Sequence, residues 1–186
     1  GVLEQLDWKP LLTEGTNPNL VFDNPLMRGG IVYHTAYFGL MYNPDKIKAS
    51  EVPKKLSDMA NPKWKGKGGL MNTPNNWLKW LFVLGKDKVL SDLRAVLKNE
   101  ATQGSYVDLL NRYMIGESWF CTISSEFLKD ARDKGMPTAW QSLEFGDIRE
   151  YSTVVRKGAS HPNGAKLVSL YLASPEGAKF VYEEAK

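Results

Sequence analysis

The chain is poor in the residues that thiol and metal chemistry need: one cysteine and two histidines in 186 residues. Cys121 has no partner for an intramolecular disulfide, and its place in the apolar run Trp119-Phe120-Cys121 reads as a buried small hydrophobe, not a nucleophile. His34 sits in an aromatic stretch and His161 in Ser160-His161-Pro162, neither at metal-ligand spacing, so a zinc site has no support. There is also no long apolar run. The best, Trp77–Leu84, carries Lys79 and falls far short of the ~20 residues a membrane helix requires. The opening residues Gly1–Trp8 lack the charged start, apolar stretch and small-residue site of a secretory signal, so any signal is expected to have been removed or never to have existed. Charge of one sign is not in excess either: 24 basic against 21 acidic residues leave +3, weak grounds for a nucleic-acid partner. Gly-x-Ser-x-Gly, Gly-x-x-x-x-Gly-Lys-Ser/Thr and Gly-x-Gly-x-x-Gly are all missing, which leaves hydrolase, nucleotide and dinucleotide sites unsupported. Glu117 and Glu126 could share a cleft, but paired carboxylates of this kind are common on solvated surfaces.

What is present is an ordinary globular composition, 42% hydrophobic and 24% charged, in a length that suits one domain or one plus part of another. Residues 1–30 are turn-rich, with Asn17-Pro18-Asn19, Asp23-Asn24-Pro25 and Arg28-Gly29-Gly30. Ile31–Tyr42 reads as one or two strands ending at the turn Asn43-Pro44-Asp45. A short helix is expected from Ser50 to Ala60, with Pro53 in its first turn, and Asn61-Pro62 should break it. Further on, Leu70-Met71 is a strand candidate followed by a polar turn and a helix from Trp77. Periodic apolar residues predict helices over Lys88–Lys98 and Ser105–Met114. Trp119–Ile123 reads as a buried strand, Phe127–Lys134 as a helix, Tyr151–Val155 as a strand, Pro162–Ala173 as a helix, and Ser174-Pro175-Glu176-Gly177 as the opening of the last one. Strands alternating with helices indicate an α/β fold.

Two strand-to-helix turns stand out, Thr73-Pro74-Asn75-Asn76 and Ser124-Ser125-Glu126. Free backbone N–H groups at a helix start can hold an anionic or polar ligand, although ordinary capping would use the same residues. In an open α/β sheet such turns lie beyond the carboxyl ends of the strands, where ligands bind. Among the aromatics, Trp80 and Trp119 are assigned to the core, while Tyr37, Trp77 and Tyr106 could equally face a ligand.

An ordered set of short motifs resembles the extracellular solute-binding proteins of ABC importers, the branch that takes ferric iron, polyamines, thiamine and phosphonates. The set comprises Tyr37–Asn43, Asn61–Lys67, Gly116-Glu117, and Lys157–Leu167 with Leu172–Gly177. The resemblance implies a periplasmic-binding-protein-like (type II) α/β fold, with an open mixed sheet flanked by helices and two lobes that close on a solute. It places residues 31–150 in the second lobe, 1–30 as linker and entry from a missing first lobe, and 151–186 as the strand and helices that return toward it. By position it assigns ligand contacts to Tyr33, Tyr37, Thr73, Asn75, Asn76, Trp77, Tyr106, Ser124, Ser125 and Glu126. Iron-binding relatives carry two adjacent tyrosines where this chain has Glu126-Phe127, which argues against a ferric tyrosinate site. The expected partners are a small organic or anionic solute and a membrane permease, with no cofactor, no metal, no nucleic acid and no catalysis, in a periplasmic or extracytoplasmic monomer. The alternative is a transferase-type enzyme on a related two-lobe fold.

Overall fold

The structure, a computed structural model, describes residues 2–22 and 29–183. The turn Asp23-Asn24-Pro25 and Arg28 lie outside them. The chain forms two compact units: Ala36–Ile148, and Gly1–Thr35 together with Arg149–Lys186. The boundaries fall within two strands, β1 (Gly30–Tyr42) and β6 (Asp147–Val154), which pair with each other.

In the unit Ala36–Ile148 the remaining elements are β2 (Gly68–Met71), α1 (Asn75–Leu84), α2 (Lys86–Lys98), β3 (Thr102–Gly104), α3 (Tyr106–Met114), β4 (Phe120–Ser124), α4 (Phe127–Asp133) and β5 (Ala139–Gln141). The strand order is β3-β2-β4-β1-β5. β2 runs parallel to β3 and β4, whereas β1 is antiparallel to β4 and β5, so the sheet is mixed. Close approach explains the glycines of β2: a Cβ on Gly68 would meet the Phe120 ring at 2.9 Å, and one on Gly69 would meet Cys121 Cβ at 2.8 Å and Leu109 at 2.9 Å. These contacts also sort the faces. Phe120, and Phe38 opposite Ser124, look to the side covered by Trp64, Trp77 and Trp80, and Cys121 looks to α3. Burial makes both strand faces apolar, with Phe38, Leu40, Met41, Phe120, Cys121 and Ile123 all at 1% exposure or less. Trp80 belongs to this core; Trp119 is only half-buried, and Lys67 Nζ lies 4.9 Å over its ring.

The helix expected from Ser50 is not formed. Only the 3-10 turn Leu56–Ala60 is present, because the Asp58 carboxylate accepts from the backbone N–H groups of both Lys54 and Lys55 at 3.0 Å and closes the chain into a tight turn, while Pro62 disfavours helical backbone at Asn61. Leu56 and Met59 are nonetheless buried. Strands β3 and β5 carry no apolar alternation and were not expected.

The other unit contains the first part of β1, the last part of β6, α5 (Pro162–Ala173) and α6 (Pro175–Glu183). Trp8, Ile31, Val155 and Ala173 form its buried apolar cluster, Val32 is buried as well, and Trp8 Nε1 donates to Gly29 O at 2.8 Å. Residues 2–22 hold 3-10 turns at Lys9–Leu11 and Pro18–Leu20. Ser174 joins the last two helices: its hydroxyl donates to Tyr171 O at 2.6 Å and accepts from Gly177 N at 3.1 Å. Among the described residues no helix is long and apolar enough to cross a membrane.

Candidate functional site

Parallel pairing makes β3, β2 and β4 end in the same direction, and each is followed by a helix. The helices do not go to the same face. From β2 the chain rises into α1, whose Trp77 and Trp80 lie edge-on to Phe38, on the Phe120 side. From β3 it turns into α3, which packs Leu109 on the Cys121 side, and α4 joins α3 there through Phe127 stacked on Tyr106 at 5.0 Å. The end of β2 is therefore a point where neighbouring connections part to opposite faces, the place in an open α/β sheet where a crevice forms.

The hydrogen bonds at this edge follow from that parting. The β2–β4 register is Gly68↔Phe120 and Gly69↔Cys121; beyond it, Met71 N donates to the Thr122 hydroxyl at 2.8 Å instead of to a ladder carbonyl. Continuing the register sets Ser124 level with Asn72. Ser124 is fully buried, and its hydroxyl has no hydrogen-bond partner among the described residues. A buried hydroxyl in this state costs about 1–3 kcal/mol, so it is a group with something to gain from a bound water or ligand. Across the strand ends, Tyr106 Oη donates to Asn76 Oδ1 at 3.1 Å, tying the start of α3 to the start of α1. On the other flank, Tyr37 N donates to Ser125 Oγ at 2.9 Å and Ser125 N donates to Tyr37 O at 2.8 Å.

The two longer helices present different N-termini. That of α3 is closed by its own capping box: Ser105 Oγ accepts from Asp108 N, and the Asp108 carboxylate accepts from Ser105 N and Oγ. The Ser105 hydroxyl and N–H bonds hold the Asp108 carboxyl below its ordinary value. At α1 no side chain caps the helix, and Thr73, Pro74 and Asn75 are exposed. In the turns 72–76, 105–106 and 124–126 the side chains apart from Pro74 are hydroxyls, amides and one phenol, with Glu126 the single carboxylate and no lysine, arginine or histidine. Such side chains can exchange hydrogen bonds with a polar molecule.

The residues singled out in the sequence thus divide. Tyr37, Thr73, Asn75, Asn76, Tyr106, Ser124, Ser125 and Glu126 lie on or beside this edge of the unit Ala36–Ile148. Trp77 is 6% exposed, its indole N–H donates to Met71 O at 2.9 Å, and its ring packs on Phe38 and Trp80; it supports the turn from beneath. Tyr33, half-buried, belongs to the other unit. Sequence reasoning missed Thr122, a mid-strand threonine that only the loss of a ladder partner makes conspicuous, and the buried Asp147, which accepts from Trp80 Nε1 at 3.0 Å and Lys79 Nζ at 2.8 Å and so anchors α1.

Residues 23–184 match the family model described as bacterial extracellular solute-binding protein. No curated protein matches the sequence. Among solved structures, iron-bound HitA from Pseudomonas aeruginosa is 20% identical with a TM-score of 0.79, and the match covers 98% of this chain and 61% of that one. AfuA from Actinobacillus pleuropneumoniae, with fructose-6-phosphate bound, is 18% identical at a TM-score of 0.72, covering 99% and 61%. The ferric binding protein from Campylobacter jejuni is 16% identical at 0.74, covering 96% and 61%. At these identities the likeness is one of fold, and the chain spans about 61% of the length of these relatives.

Proposed function

The chain belongs to the bacterial extracellular solute-binding proteins, and from that membership we propose that it is part of the substrate-binding component of an ABC importer, working outside the cytoplasmic membrane as a monomer that delivers a small solute to the permease. The observation that carries this reading is the open strand edge at which α1 and α3 part to opposite faces, bridged by Tyr106 and Asn76 and containing the unpartnered hydroxyl of Ser124. We assign Ala36–Ile148 to the second lobe and the edge to one wall of the solute site.

The solute is a small organic molecule with hydroxyl or anionic groups. Hydroxyls and amides suit it, and the start of α1, which no side chain caps, adds positive dipole character although its Asn76 and Trp77 N–H groups already donate to Thr73 O and Pro74 O. A bare ferric ion suits the wall less well, since Glu126 and Phe127 stand where iron-binding relatives carry two adjacent tyrosines, and the Tyr106 hydroxyl is committed to Asn76. Binding, not catalysis, fits a wall whose single carboxylate is Glu126. Solute would favour the closed form of the protein, by its differential affinity for that form, and so signal the permease.

Thermal unfolding of the full-length protein with fructose-6-phosphate, ferric citrate and putrescine tests this. A bound solute at a hundredfold excess over its Kd adds about 2.7 kcal/mol of stability. The Ser124→Ala and Tyr106→Phe variants should lose most of that increment, while without ligand Ser124→Ala is at least as stable as wild type, having shed an unpartnered buried hydroxyl, and Tyr106→Phe loses about 1 kcal/mol with its bond to Asn76. Equal stabilisation of wild type and both variants would contradict the site.

A further inference from the structure

The positive charge of this chain is not spread evenly. In residues 43–67 seven lysines stand against three carboxylates, Asp45, Glu51 and Asp58, with no arginine or histidine, a local excess of +4 in a chain whose total is +3. Lys46 and Lys48 follow the end of β1, Lys54 and Lys55 precede the 3-10 turn Leu56–Ala60, and Lys63, Lys65 and Lys67 lead into β2. All are exposed except Lys67, which is half-buried. Lys65 pairs with Glu100 at 2.9 Å; the others have no ion-pair partner among the described residues.

Hydrogen bonds gather these segments at one pole of the unit Ala36–Ile148. Trp119 N donates to Lys67 O at 2.8 Å and Asn43 N to Trp119 O at 2.9 Å, which joins the end of β1 to the starts of β2 and β4. Asn99 Nδ2 donates to Met59 O at 3.0 Å and to Asn61 O at 2.8 Å, and Gly66 N donates to Asn99 O at 3.0 Å. An open cleft of about 370 Å³ brings residues 50–54 beside 58–64, with Lys54 and Lys63 in its lining together with Glu51 and Asp58. Since β2 and β4 run parallel away from this pole, the solute edge lies at the opposite end of the sheet. Neighbouring carboxylates are already matched: Glu144, whose N–H donates to Lys54 O, pairs with Lys88 at 2.9 Å, and Glu117 pairs with Arg112.

A concentrated positive field attracts a negative partner. The use of lysine alone narrows the kind: an ammonium is a hydrated point charge that suits diffuse negative charge, whereas arginine forks grip individual phosphates and carboxylates. Protein interfaces are depleted in lysine and centre on apolar anchors, yet here Ile47, Val52, Leu56, Met59 and Trp64 are all buried. For a protein that works outside the cytoplasm, the extended negative surface at hand is the phosphate layer of a membrane. We propose that this lysine pole docks on a membrane surface rich in anionic phospholipid, held by charge without insertion of apolar side chains. The setting rests on the family reading above, but the surface involves no residue of the solute edge.

The test is cosedimentation of the full-length protein with vesicles of phosphatidylglycerol and phosphatidylcholine in equal parts, against vesicles of phosphatidylcholine alone. Binding to the anionic vesicles is expected, and it should weaken as added salt screens the charges. Each lysine near such a surface strengthens binding by about fivefold, so Lys46→Gln, Lys54→Gln, Lys55→Gln and Lys63→Gln together should weaken it by at least about tenfold. The melting temperature of that quadruple variant, with and without fructose-6-phosphate, should stay as in wild type. No binding by wild type, equal binding to both vesicle types, or undiminished binding by the quadruple variant would overturn the proposal. So would polyglutamate or a DNA duplex that binds more tightly than the anionic vesicles, since an acidic macromolecule would then be the partner. Failure of every solute to stabilise the protein would count against the solute edge alone, because vesicle binding is read separately.

Discussion

Tyr113 shows what burial alone does to a side chain in this fold. Its ring is fully buried in α3 and its hydroxyl donates to Pro137 O at 2.7 Å, and loss of solvent pushes its pKa from an ordinary 10.0 up to about 12. A raised pKa means the folded state holds its proton longer than the unfolded chain does. Stability from this group is therefore complete below pH 10.0 and is lost as pH rises toward 12. Urea unfolding at pH 9 to 12 should show that fall in wild type, and Tyr113→Phe should remove this component of it. Cys121 obeys the same physics, since burial pushes its thiol up, and here the apolar run Trp119-Phe120-Cys121 made the outcome legible in the sequence. Ser124 was legible as a residue of a strand-to-helix turn and, through the family resemblance, as a candidate ligand contact. That its hydroxyl is left without a partner depends on where β2 and β4 separate, a tertiary fact that no local pattern encodes.

At the scale of elements, long periodic segments were readable and short polar ones were not. The helix expected over Pro162–Ala173 has those ends, and the strand from Ile31 begins one residue earlier, at Gly30. Thr102-Gln103-Gly104 became a strand because β2 offered it a parallel edge, not because of its own residues. The segment from Ser50 failed as a helix because Asp58 diverted its hydrogen bonds to Lys54 and Lys55. Helix α1 matters most for the site, since the edge begins at its first turn. It is held from below by Asp147, 2% exposed, whose carboxylate accepts from Trp80 Nε1 and Lys79 Nζ. Asp147→Ala leaves the buried indole N–H unsatisfied and should cost about 2–3 kcal/mol by chemical denaturation. Trp80→Phe with Asp147→Ala should cost less than the sum of the single changes, because the two groups serve one another; additive losses would show that the contact contributes nothing.

On the scale of the whole molecule, a chain with little to support metal, thiol or nucleotide chemistry is organised around a strand edge rich in hydroxyls and amides. The family was legible because its motifs come in order, and the edge because strand-turn-helix order announces it. The parting of α1 and α3 to opposite faces was not, since the assignment of a helix to a face comes from contacts such as Leu109 with Gly69 and Trp77 with Phe38. In the function proposed above, this edge takes a small organic solute. Native mass spectrometry of the full-length protein, purified gently from its host, addresses it most directly. The expected result is a retained mass that leaves on activation as an organic molecule and is absent from the Ser124→Ala, Tyr106→Phe double variant. A protein that carries only iron, or that retains the same molecule when both residues are changed, would contradict it.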